Sequence, residues 1–146
     1  MFTGPTPIVR QPQLDPLPGP AGVDNGPVLC PCGTSLPYVT CCARLHSGET
    51  TAATAEQLMR SRFAAFAVGD AAYLLRSWHT STRPRRMELD TGQQWLRLEV
   101  LGRTGGGLFD TEGTVEFRAH AVSGVQHETS RFRRDDGWQY VGPAKT

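Results

Sequence analysis

The chain has 146 residues, 38% hydrophobic and 20% charged, which suits one domain plus some extra chain and excludes two large domains. Fifteen Lys and Arg against 14 Asp and Glu leave a formal charge of +1, so no long-range field demands a nucleic-acid or anionic-membrane partner. No apolar run approaches the roughly 20 residues of a membrane-spanning helix, and the N-terminus lacks the basic, apolar and small-residue succession of a signal peptide; a cytoplasmic protein without membrane insertion is expected.

Residues 1–27 carry seven of the 11 prolines and three charges. Proline fixes φ and removes a backbone donor, so neither helix nor ladder propagates through this segment and a disordered tail is predicted. All four cysteines follow, between Cys30 and Cys42. Thr54-Ala-Glu-Gln57 then has the spacing of a capping box, which starts a helix. Ala55, Leu58, Met59, Phe63 and Phe66 recur every three or four residues, and Gly69 ends the pattern where a left-handed residue costs least. Asp70 caps a second helix, from Ala71 to about Trp78, that presents Tyr73, Leu74 and Trp78.

The period then changes to two. Trp95 to Leu101 places Leu96, Leu98 and Val100 on one face, and Thr111 to Ala121 points Val115, Phe117 and Ala119 inward. Val125 to Arg134 and Trp138 to Val141 read as two more strands. Gly102 to Gly107, Ser123-Gly124 and Asp135-Asp136-Gly137 supply the hairpin turns. Two helices followed by a four-stranded antiparallel meander make an α+β layer arrangement. Trp95, Trp138 and Tyr140 read as sheet packing, because no basic residues interleave with them as a base-stacking platform requires.

Cys30-Pro-Cys32 and Cys41-Cys42 are separated by eight residues. In a reducing compartment such a cluster reads as a metal site before a disulfide framework. Four thiolates suit structural Zn²⁺, with Cys30, Cys32, Cys41 and Cys42 as the ligand set and His46 as an alternative ligand in place of one cysteine. Thr34 and Ser35 are candidate donors to the sulfurs.

The string Cys30-Pro-Cys-Gly-Thr-Ser-Leu-Pro-Tyr-Val-Thr-Cys-Cys42 resembles the SEC-C motif, the small zinc-binding module at the C-terminus of the SecA translocation ATPase and in other bacterial proteins. Together with Arg44-Leu-His-Ser-Gly48, Ala55 to Phe63, Trp78-His79 and His127 to Phe132, it resembles the YchJ-type family of bacterial proteins. The resemblance spans about residues 28–143. It implies a SEC-C knuckle over residues 28–50 ahead of a nuclear-transport-factor-2-like (cystatin-like) cone over 51–146, helices on a curved antiparallel sheet. It also implies that cones pair through their sheets into a homodimer. It carries a fold and no reaction.

Arg62 falls inside the apolar stripe of the first helix, and a buried guanidinium needs partners. Glu128, Ser130 and Phe132 share the inner face of the third strand by period two, leaving His127, Thr129 and Arg131 outside. Glu128 is therefore the expected ion-pair partner of Arg62, and His79 is placed at the cone's mouth. The candidate cone pocket is Arg62, Phe66, Trp78, His79, Glu128 and Ser130. No catalytic residue is assigned, because Asp70 and Asp90 read as a cap and a loop residue. The leading functional expectation is a binding or adaptor module that contacts a protein partner. The alternatives are a small-molecule-binding protein or a dehydratase- or isomerase-like enzyme using the cone, and a nucleic-acid or ribosome-associated factor using the knuckle and the Arg83, Arg85, Arg86 loop.

Overall fold

The computed structural model describes residues 28–90 and 92–144; the tail expected over residues 1–27 lies outside them. Three helices, α1 (Cys42–His46), α2 (Ala55–Val68) and α3 (Ala71–Arg76), precede four strands, β1 (Trp95–Gly105), β2 (Glu112–Ala121), β3 (Gly124–Arg134) and β4 (Trp138–Pro143). The strands form one antiparallel sheet in sequence order.

Local chemistry sets the limits of α2. Thr54 Oγ1 accepts from the Gln57 amide at 3.1 Å, satisfying one of the donors every helix start leaves open. The Gln57 side chain accepts from the Ala53 amide, one residue earlier than a capping box requires. Gly69, at φ 84°, ends the helix with its N–H on the Ala65 carbonyl; a side chain there would meet the left-handed penalty. Asp70 accepts from the Tyr73 amide and opens α3, which stops at Arg76, two residues short of expectation.

Helix α2 is buried nearly all round, which its short length of apolar stripe does not suggest. One side packs Leu58, Met59 and Phe63 on Val115, Phe117 and Phe132 of the sheet. A second places Ala65 against Tyr73 and Leu74 of α3 and Leu45 of α1. Ala64 meets Cys30, Cys32 and Cys42. With every side covered, Ser61 and Arg62 are buried too, at 0% and 4% exposure.

Pairing of Val115 with Ser130, Phe117 with Glu128 and Phe132 with Tyr140 places these residues on one face, since residues directly opposite across a ladder point the same way. The first strand departs from simple alternation. A register irregularity between Trp95 and Arg97 shifts the side-chain phase, as an extra residue in a ladder does. Trp95 packs on Phe63, their rings 5.8 Å apart, whereas Leu96, expected on one face with Leu98, is exposed while Leu98 is buried. The strand also runs on to Gly105, so four of the six residues expected to turn belong to it. The turn itself begins at Gly106, where any Cβ would lie 2.8 Å from that of Ala55 and whose carbonyl accepts from the Ala55 amide. No helix among the described residues is long and apolar enough to cross a membrane.

Candidate metal centre and cone cavity

The knuckle forms because Cys30 and Leu36 close a short loop, the Cys30 amide donating to the Leu36 carbonyl and the Tyr38 amide to the Val28 carbonyl. Cys41 and Cys42 then enter α1. The four sulfurs lie within 4.8 Å of one another, with Cys32 and Cys41 at 3.6 Å and Cys41 and Cys42 at 4.0 Å. Tetrahedral zinc with Zn–S bonds near 2.3 Å has sulfurs about 3.8 Å apart. The set therefore fits a tetrathiolate metal site with little movement.

The thiols act on one another. The Cys30 and Cys42 thiols beside it hold Cys32 far below the usual thiol range. The converse contact with Cys32 pushes Cys30 up to about 11, and Cys30 and Cys32 push Cys42 up as well. Four thiolates this close repel unless a cation neutralises them, which is the chemistry a bound metal supplies. Thr34 Oγ1 stands 3.5 Å from Cys32 Sγ and 3.3 Å from Cys41 Sγ, placed as a donor to thiolate; no bond of this kind is made by Ser35 among the described residues.

His46, the alternative ligand, is occupied elsewhere. Tyr38 Oη donates to its Nδ1 at 2.7 Å and its Nε2 donates to the Ser61 carbonyl at 2.8 Å. Both ring nitrogens are thus spent, Nδ1 within the knuckle and Nε2 in tying it to α2, and burial lowers the imidazole's proton affinity. Arg60 adds a second tie, Nη1 donating to the Cys32 carbonyl at 2.6 Å, and Arg76 a third, to the His46 carbonyl.

On the other side of α2 lies a cavity of about 120 Å³ between helix and sheet. Arg62, Phe66, Trp78, Glu128 and Ser130 all line it, together with Tyr140. The expected ion pair between Arg62 and Glu128 does not form. Arg62 Nη1 donates instead to the Leu74 carbonyl at 2.8 Å and Ser77 Oγ at 2.7 Å. Its guanidinium carbon lies 5.2 Å from the Trp78 ring centre and 4.4 Å from that of Tyr140, so two aromatic faces, one carbonyl and one hydroxyl hold the charge. Burial lowers its pKa to about 10, which leaves it charged at neutral pH. Glu128 Oε2 accepts from Ser130 Oγ at 2.6 Å and Tyr140 Oη at 3.2 Å. Burial first, then the Glu128 charge, raises Tyr140 to about 12, so it stays a donor.

His79 does not line the cavity. Residues 77–79 pair with the edge of β4, the Tyr140 amide donating to Ser77 and the His79 amide to Tyr140. Strand alternation then turns His79 away from the side on which Trp78 faces the cavity. Its Nε2 reaches Asp135 Oδ2 at 2.6 Å and its Nδ1 reaches Ser81. It ties this loop to the β3–β4 turn. Sequence reasoning missed Tyr140 as a cavity residue. The period-two relation to buried Trp138 was the available signal, but the partner that makes it polar, Glu128, lies on another strand. Of the Arg83, Arg85, Arg86 loop, Arg83 turns back on the chain and donates to the Trp78 carbonyl.

The profile of the YchJ middle NTF2-like domain matches residues 54–143. A UPF0225 protein of Streptomyces coelicolor is 55% identical over 113 residues, 77% of this chain and 91% of its own length. One of Corynebacterium glutamicum is 56% identical over 115 residues, 76% and 92%. A SEC-C motif containing protein from Rhodopseudomonas palustris, solved in solution, is 32% identical with a TM-score of 0.69, covering 81% of this chain and 98% of that one. A crystal structure of a SEC-C motif containing protein from Psychrobacter arcticus is 26% identical with a TM-score of 0.67, covering 82% and 83%. With a cysteine knuckle docked on an α+β domain of this kind, the chain belongs to the UPF0225 family of YchJ-like proteins.

Proposed function

We propose that the chain is a small-molecule-binding protein whose site is the cone cavity, braced from behind by a zinc-stabilised knuckle. One observation carries this reading: a cavity walled by aromatic side chains holds both a guanidinium and a carboxylate that do not pair with each other. Arg62 is held by Leu74, Ser77 and two ring faces, but Glu128 has only hydroxyl donors and no cation; a carboxylate so placed in an apolar wall costs stability, so fold stability alone does not account for it. A concave apolar pocket with a few convergent polar groups is what small ligands use. The test is a ligand screen by thermal shift on the wild type and on Ala119→Leu, which fills the cavity from β2. Hits that raise Tm in the first protein and not in the second support the reading; hits that act equally on both overturn it.

The metal in this reading is zinc and its role is structural, since four sulfurs close a tetrahedral shell and leave no position for water or substrate. Elemental analysis beside a Cys41→Ser/Cys42→Ser variant tests it: one zinc per chain in the wild type and none in the variant. Thiols clustered in this way suit the reducing cytoplasm.

A second reading, the protein-contacting adaptor, has its own support. The knuckle exposes Val28, Leu29, Leu36 and Val39 within 12 residues, and apolar side chains gathered on a surface mark contact sites. Val39→Asp should then abolish a stoichiometric complex without changing Tm.

A further inference from the structure

Resting on the reading of the cone as a ligand site, we infer that its ligand is a compact ring-bearing molecule without net charge, carrying a hydrogen-bond acceptor for Arg62 and a donor for Glu128, as an aromatic amide or lactam does. Size sets the first limit. An apolar cavity of roughly 150 Å³ accepts benzene, and this one, at about 120 Å³ and partly open to solvent, limits a ligand to a single ring. The walls set the second: Phe63, Trp95 and Phe117 offer ring edges and faces, against which a flat molecule packs at centroid distances of roughly 4.5–7 Å.

Polarity follows from what the two charged groups leave open. Arg62 uses Nη1 on Leu74 and Ser77, and its Nε and Nη2 make no hydrogen bond to a described residue. These are donors only, so a ligand must bring an acceptor. Glu128 takes both of its hydrogen bonds on Oε2; Oε1 makes none to a described residue and is an acceptor only, so the ligand must bring a donor.

Net charge follows from the balance. Arg62 and Glu128 cancel, and among the cavity's lining residues no other side chain carries a charge. An anion that met Arg62 would also face the Glu128 carboxylate, and a cation that met Glu128 would face the guanidinium. Each would surrender its hydration for a site that repels as much as it attracts. A neutral amide meets both groups and gives up little.

Benzamide, benzoate and benzylamine, equal in ring and differing in charge, test this by calorimetry or ligand-observed NMR on the full-length protein. Benzamide should bind the wild type at least about tenfold more tightly than either charged probe, the difference one hydrogen bond to a charged group supports. Glu128→Gln, which keeps an oxygen for Ser130 and Tyr140, should reverse the order and favour benzoate, because Arg62 then stands uncompensated. Ala119→Leu should abolish all binding. Benzoate or benzylamine binding best to the wild type overturns the charge-balanced class and leaves the cavity a ligand site. Saturable binding of none of the three, or binding unchanged by Ala119→Leu, overturns the cavity reading itself.

Discussion

The knuckle and the cone lie on opposite sides of one helix and are held by different physics. In the cone, Phe132, Val115 and Phe63 are at most 2% exposed, and removal of apolar surface from water supplies the driving force. In the knuckle the buried groups are Cys30, Cys32 and Cys42, with Leu45 at its edge, while Val28, Leu29, Leu36 and Val39 face outward. So small a segment lacks a sufficient apolar core and needs a metal or a staple. Helix α2 serves both, giving Ala64 to the sulfurs and Met59 and Phe63 to the sheet. A single helix buried nearly all round thus joins a unit built on a cysteine cluster to one built on an apolar core.

Metal removal breaks the comparison most sharply. Structural zinc contributes an apparent ~10–16 kcal/mol in zinc-finger peptides, so with zinc at the four cysteines chelation or Cys42→Ser should melt the order of residues 28–50 while the sheet persists. Circular dichroism together with amide exchange resolves the two; loss of the whole sheet on chelation would show one cooperative unit instead. Next in size is Arg62→Met. It leaves the Leu74 carbonyl and Ser77 hydroxyl short of a partner and empties the slot between Trp78 and Tyr140, costing about 2–4 kcal/mol. Because Glu128 is not its hydrogen-bonded partner, adding Glu128→Leu should not restore stability; denaturant melts of the single and double variants decide this.

Smaller effects sharpen the boundary between the two regions. Arg60→Met removes the bond to the Cys32 carbonyl, worth about 1.5 kcal/mol, and should speed metal loss to a chelator while leaving the Tm of the cone nearly unchanged. Thr54→Ala removes the cap on α2 at about 1 kcal/mol, and this loss should appear in the cone's denaturant midpoint with metal release unaffected. Acid should act through His46. Its folded pKa is lowered by burial, so the unfolded chain takes up a proton that the folded chain resists. Stability is then fully present above the unfolded value of about 6.5 and declines as pH falls below it. The Tm should fall less steeply between about pH 7 and pH 5 in His46→Gln than in the wild type.

The amino-acid order alone determined α2, α3, the four strands and the cysteine cluster, but not the short α1. Capping at Thr54 and Asp70, termination at Gly69, alternation through Val115, Phe117 and Ala119, and four cysteines within 13 residues are local signals, read from neighbours a few positions away. Tertiary structure decided what those signals do not contain. The partners of Arg62 lie 12 and 15 residues on, and the Tyr140 that stacks on it lies on a different element. Charge complementarity picks Glu128 from the sequence, but ring faces and carbonyls take the guanidinium, because they are already placed around it and satisfy it without a second buried charge. His79 was assigned by proximity to Trp78, and backbone pairing with the edge of β4 reversed it. Leu96 was assigned by period, and one irregular residue in the ladder moved it outside. In each case the deciding contact joins segments distant in sequence, and alternation or charge type along one segment cannot encode where another will pass.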